Sequence, residues 1–305
     1  MRALVCLLCL SACATESTTS SARNPPDPAI VEIGKLQESK IDEASGLARS
    51  HREERSFWTL NDSGSAAVLY ALGEDGSHLG SVRMRGGSNI DWEDLASFEF
   101  NGRPQLLVAD IGDNVGRRKH VTLYIMDEPT PSSDEITPSW QIDFAYPDGP
   151  KDAEAVAVDG HERVAYVLSK RTIPARLYSI SLAAENIGTD TIAMASFLGT
   201  IESIPQPTPE DLERALAEKN WHWQPTAMDF SADGRAAIIL TYRAVYLYKR
   251  RGDEPWLETL QRSPTTFPLG DIREAESAAL NAGSIFLTVE AHHAPIYRID
   301  IEVQK

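Results

Sequence analysis

The sequence predicts an all-β chain folded as a β-propeller of five blades, each of four antiparallel strands. Three observations carry this. One set of landmarks recurs five times between residue 30 and the end. Each copy is built from short apolar strand segments separated by Gly, Asp and Asn turns. The array also has one strand too many at its front and one too few at its back, which is how a ring is closed.

In chain order, each copy opens with an acidic or amide residue followed by small and apolar ones. These are Glu43 in EASGLA, Glu93 in EDLASF, Glu154 in EAVAVD, Gln224 in QPTAMD and Glu276 in ESAALN. An apolar second strand follows, ending at Leu60, Ala109, Leu168, Leu240 and Val289. The third strand sets a tyrosine after an aliphatic residue: Tyr70, Tyr124, Tyr178, Tyr246 and Tyr297. Fourth strands are GSVRM, WQIDFAY, ASFLGTI and TTFPL. VEIGKL precedes Glu43, whereas the last copy stops at its third strand, so the N-terminal strand is expected to complete the last blade. The long approach from Ile204 to Trp223 predicts one inserted helix near 208–220, with Thr208 as N-cap, Pro209 at the first helical position and acids in the first turn. Six blades is the alternative, if that approach hides a degenerate one.

The start has a different character. Met1 and Arg2 lead into an apolar run to Leu10, then Ser11, Ala12 and Cys13. This resembles the lipobox of bacterial lipoproteins, with residues 1–12 a signal peptide and Cys13 the lipidated residue; an ordinary secretory signal cut near Ala14 is the alternative. The run is too short to span a bilayer. Residues 13–28, rich in Ser, Thr and Pro, read as a disordered tether, and 29–305 as the propeller domain. The three cysteines are Cys6, Cys9 and Cys13, so the exported domain has no disulfide. Resemblance to lipoprotein sorting, with Ala14 after the cysteine, implies the outer membrane, facing the periplasm. The formal net charge of −16 argues against nucleic acid and anionic lipid surfaces as partners; the membrane enters through the lipid anchor.

In a four-stranded blade, the connection into the inner strand and the turn between the second and third strands share one face of the disc. The unusual polar residues fall in those two places, which predicts a charged funnel at one end of the axis. Glu43, Glu93, Glu154 and Glu276, with Asp62, Asp110 and Asp113, are candidate metal ligands, because clustered carboxylates repel one another and Ca²⁺ relieves that with oxygen ligands. Lys170, Arg171, Gln224, Tyr242, Arg243, Glu290 and His292 are candidate contacts for a small, anionic ligand. The competing reading is structural: glutamates that cap backbone amides or pair with Lys170, Arg171 or Arg243, and an aspartate-rich turn at Asp110–Asn114 closed by its own backbone. No nucleophile elbow, Walker loop, dinucleotide fingerprint or HExxH is present, so no catalytic set is assigned.

The segments EASGLA, WTLNDSG, DWEDLA, ADIGDN, YPDGPKDAEAVAVD and SKR together resemble a family of exported bacterial propeller proteins without an established activity. The acidic funnel is more loosely similar to that of the calcium-binding propeller lactonases and phytases, although the full ligand set of neither is matched. The expectation is an envelope lipoprotein that binds a ligand or an envelope protein at its acidic axial face. The alternative is a calcium-dependent hydrolase of phosphoesters or lactones.

Overall fold

The computed structural model describes residues 30–183, 191–218, 221–281 and 283–301. The proposed signal peptide, Cys13 and the tether lie outside these.

The described residues form 22 strands in five sheets arranged as a ring. Strand β1 (Ile30–Lys35) comes first. Blade 1 follows with β2 (Ala44–Arg49), β3 (Ser56–Asn61), β4 (Val68–Gly73) and β5 (His78–Met84). Blade 2 holds β6 (Trp92–Phe100), β7 (Arg103–Asp110), β8 (Val121–Asp127) and, after a two-residue β9 (Glu135–Ile136), β10 (Trp140–Ala145). Blade 3 holds β11 (Ala153–Asp159), β12 (Val164–Ser169), β13 (Ala175–Ser181) and, after β14 (Ala193–Met194), β15 (Ser196–Ile201). Helix α1 (Pro209–Glu218) precedes blade 4, which is β16 (Pro225–Phe230), β17 (Ala236–Thr241), β18 (Ala244–Lys249), helix α2 (Trp256–Leu260) and β19 (Thr265–Pro268). Blade 5 is β20 (Ala275–Asn281), β21 (Ser284–Val289) and β22 (Pro295–Asp300), completed by β1 running antiparallel to β22.

The number of blades is therefore five, and the closing strand is the expected one. The long approach carries a helix, not a sixth blade. Thr208 caps α1 reciprocally with Asp211: the Asp211 amide donates to Thr208 Oγ1 at 3.1 Å and the Thr208 amide to the Asp211 carboxylate at 2.9 Å. Three small elements were not legible. The β8–β10 connection folds back so that β9 pairs in parallel with β5, and β14 does the same for β10, covering two sheet edges. The five-residue α2 is held by Trp256, whose ring stacks on Phe230 at 3.8 Å; its sequence is too short for a helical period to show.

The inner strands β2, β6, β11, β16 and β20 pack around the axis, each against its two neighbours. Crowding there selects small residues, such as Ala153, Ala155 and Ala157 on β11, all fully buried. Larger side chains fill the wedges between blades, as where Phe57 of blade 1 meets Phe286 of blade 5 at 4.8 Å. Between two inner strands, Gly46 lets β2 approach β6: a Cβ there would lie 2.8 Å from the Leu95 nitrogen and 2.9 Å from the Asp94 Cα. Gly46→Ala is expected to push β2 off β6 and cost about 1–3 kcal/mol, read as a lower urea midpoint at an unchanged slope.

Candidate metal centre

Every inner strand begins with a β-bulge. Pairing with the second strand of the blade skips Ser45, Glu93, Glu154, Thr226 and Glu276 in turn. A bulge re-aims the extra side chain, and these five equivalent residues form an inner ring at the axial mouth. Two residues earlier, Glu43, Asp91, Asp152, Gln224 and Glu274 form an outer ring. A third set comes from the turn after the second strand: the amides of Asp62, Gly112, Lys170 and Glu290 donate to the carbonyls of Glu43, Asp91, Asp152 and Glu274. Tyr242 follows β17 at the corresponding place in blade 4.

This register corrects two sequence assignments. Glu43 and Gln224 belong to the outer ring, and Glu43 is exposed. The inner-ring places in blades 1 and 4 belong to Ser45 and Thr226, whose hydroxyls tie neighbouring blades by donating to the carbonyls of Glu93 (2.6 Å) and Ala275 (2.8 Å). Only Glu93, Glu154 and Glu276 of the four glutamates converge.

One side of the mouth is internally compensated. Lys170 pairs with Glu154 and donates to the Tyr242 hydroxyl at 3.1 Å, and that hydroxyl donates to Glu276. Burial works against the Lys170 charge, but Glu154 and Glu276 outweigh it and raise its pKa. Arg171 is bound to Asp152 and Asn114. Two of the predicted anion contacts, Lys170 and Arg171, are thus already matched to carboxylates. Arg243 has no carboxylate within ion-pair reach among the described residues. Glu290 and His292, with Asp42, Glu43 and Glu274, line a shallow cavity of about 380 Å³ on the rim. Burial and then Glu276 push Glu290 up to about 7.

On the other side cations act on Asp62, Asp91 and Glu93 only through space, Lys170 on Asp62 and Glu93 and Arg118 on Asp91. Carboxylate oxygens of Asp62, Asp91 and Glu93 lie within 4.8 Å of one another, as do those of Glu93, Asp152 and Glu154. In the second group the cations of the preceding paragraph and the Asp113 amide, 2.9 Å from Asp152, are already engaged. In the first group Asp62 takes the Ser63 amide. Glu93 is 3% exposed and its carboxylate has no hydrogen bond or ion pair among the described residues. Burial, then Glu154 and Asp62, push it well above the usual carboxylate range. Burial and Asp62 raise Asp91 to about 6, and burial raises Asp62. Such shifts mark carboxylates that lack a cation.

Gly112 makes room for the Glu93 and Asp91 carboxylates to come together. It takes the place held by Asp62, Lys170 and Glu290 in other blades. A Cβ there would collide with Glu93 Oε1 and lie 2.6 Å from the Asp91 carboxylate. The donor set, all oxygen and anionic, suits a hard cation. Asp91, Asp152 and Gly112 were missed as site residues. The signal for the first two is the acid that recurs two residues before four of the five bulged positions.

Asp110 and Asp113 do not join this group. Asp110 is fully buried, pairs with Arg118 at 2.7 Å and accepts the amides of Ile90 (3.1 Å) and Asp91 (3.3 Å). Asp113 accepts those of Arg117 (2.8 Å) and Arg118 (2.7 Å). Both close the β7–β8 turn, the structural alternative weighed for this segment.

No protein-family model and no curated protein matches the sequence. Among solved structures, the chain is similar to the PQQ-bound form of an aldose sugar dehydrogenase from Streptomyces coelicolor. Identity is 9% and the TM-score 0.47, over 91% of this chain and 99% of that one. A likeness this distant carries no chemistry across, and the site rests on its own residues.

Proposed function

We propose that the protein is an envelope-anchored binding propeller that holds a divalent cation, Ca²⁺, between Asp62, Asp91 and Glu93 and takes up its ligand at that acidic mouth. The observation that carries this reading is the buried Glu93 carboxylate, without a hydrogen bond or ion pair among the described residues, held within 4.8 Å of the carboxylate oxygens of Asp62 and Asp91. Asp62 and Asp91 are partly exposed, so the cation has an outer side open to a ligand oxygen or water.

Thermal unfolding in EDTA and then in excess Ca²⁺ tests it. A ligand that binds only the folded chain adds about 2.7 kcal/mol at a hundredfold excess over its Kd, so a rise of several degrees is expected. Glu93→Gln should abolish the rise, and so should Gly112→Ala, whose methyl displaces the Glu93 and Asp91 carboxylates without removing either. Equal midpoints with and without Ca²⁺ would sink the reading.

A second reading, calcium-dependent hydrolysis of a phosphoester or lactone, draws on the same open side, since a bound cation can polarise an ester oxygen or activate water there. Turnover of p-nitrophenyl phosphate or a simple lactone that disappears in EDTA supports it; a rate indifferent to EDTA removes it. Anchoring at Cys13 predicts that palmitate label follows the wild-type chain and is lost in Cys13→Ser.

A further inference from the structure

A further cavity lies away from the acidic mouth. It occupies about 880 Å³ where β2, β6, β11 and β16 end, on the opposite face of the disc. Its walls are apolar at Phe98, Val158 and Phe230, all buried. Three arginines line it, and two are matched. Arg250 pairs with Asp159 (2.9 Å) and Glu162 (2.7 Å), and Arg235 lies 3.4 Å from Asp253.

Arg49 differs. It is mostly buried, and no carboxylate lies within ion-pair distance of it among the described residues. Its one side-chain hydrogen bond is to His51 Nε2, at 2.7 Å. An imidazole that accepts from a guanidinium is neutral, and burial and Arg49 lower the His51 pKa to about 4. The buried carboxylate that feels Arg49 through space, Asp229, already accepts the amides of Phe230 and Leu280, each at 2.8 Å. A guanidinium carries five donors; here one is used, at the edge of a cavity that sets Phe98, Val158 and Phe230 beside polar residues, Glu99 and Asp233 among them.

We propose that this cavity is a second binding site, for a small organic oxyanion whose carboxylate or phosphate meets Arg49 and whose apolar body lies along Phe98, Val158 and Phe230. A planar guanidinium binds such groups in a bidentate manner, and a cavity of this size suits a small molecule. The site is independent of the cation at the other mouth.

Titration calorimetry with phenyl phosphate, benzoate, inorganic phosphate and neutral benzyl alcohol tests it. Phenyl phosphate or benzoate should bind in the micromolar-to-millimolar range, and benzyl alcohol should not. Which of the two binds more tightly separates a phosphate ligand from a carboxylate one. Arg49→Gln should weaken the anion at least tenfold, Arg49→Lys less, whereas EDTA and Glu93→Gln should change nothing. The His51 ring resonances should shift on titration of the wild type, a readout that does not depend on a variant folding. Equal affinity for wild type and Arg49→Gln, loss of binding in Glu93→Gln, or no saturable binding with an unmoved His51 would each overturn the proposal.

Discussion

Lys170→Met is expected to lower the unfolding free energy by about 3–5 kcal/mol, the cost of leaving one member of a buried ion pair alone. The side chains of Lys170 and Glu154 are only 10% and 6% exposed, and Glu276 shares the same cation through Tyr242. Burial already raises Glu154 and Glu276 above the ordinary range, with Lys170 as the opposing influence on both. Without it both carboxyls must take up protons or remain as uncompensated charges. The double variant with Glu154→Gln should recover part of the loss, because an amide needs no counter-charge. Equilibrium urea unfolding of the four proteins in the cycle measures the coupling. A single-variant cost under about 1 kcal/mol would mean that water reaches the pair and that it behaves like a surface ion pair.

In EDTA, stability should rise as pH falls from about 7.5 towards 5, by at least about 1 kcal/mol. A carboxyl whose folded pKa exceeds its unfolded value weakens the fold above that pKa and ceases to do so once protonated. Asp91 is raised to about 6, Glu290 and the buried Asp229 to about 7, each chiefly by burial, and Glu93 and Glu154 also titrate high. Over this window the folded chain binds more protons than the unfolded one, so acid favours folding. His51 opposes this below about 6.5, because burial and Arg49 hold it neutral down to about 4 in the fold. Saturating Ca²⁺ should flatten the trend by keeping Asp62, Asp91 and Glu93 ionised, and the calcium stabilisation itself should fade as protons compete for the ligands. Thermal midpoints across pH, with and without metal, show both effects. A midpoint that falls steadily on acidification in EDTA would mean these carboxylates are compensated in the fold.

The ring was legible because a propeller writes its blade five times. The tyrosines at 70, 124, 178, 246 and 297 all stand on third strands, and the surplus N-terminal strand met the vacancy in blade 5. The alignment of the axial residues went astray by two positions in blades 1 and 4. Side chains alternate along a strand with a period of two, so a slip of two keeps every residue on its face. Glu43 therefore passed for the equivalent of Glu93 when that place belongs to Ser45. The bulge that sets the true register has no sequence signature of its own. Pairing of the axial glutamates with Lys170 was one reading of the sequence, but which glutamate it meets is set by the β11–β12 hairpin, which returns Lys170 to the face of Glu154. The opposite cavity was invisible for a similar reason: Arg49, Val158 and Phe230 end three different inner strands and share no motif.

Closing blade 5 with β1 also governs the order of assembly. Ile30 pairs with Ile299, so the strand made near the start must wait for one made near the end. Until then β1 has no partner and β22 presents an open edge, each a template for pairing with another chain. Blades 1 to 4 contain their own strands and can fold as hairpins during synthesis, whereas the seam depends on the most distant contact in the molecule and so on the slowest search. A circular permutant that joins residue 301 to residue 30 and opens the Gly86–Gly87 connection between blades 1 and 2 would make that contact local without splitting another blade. It should refold faster if the seam limits the rate.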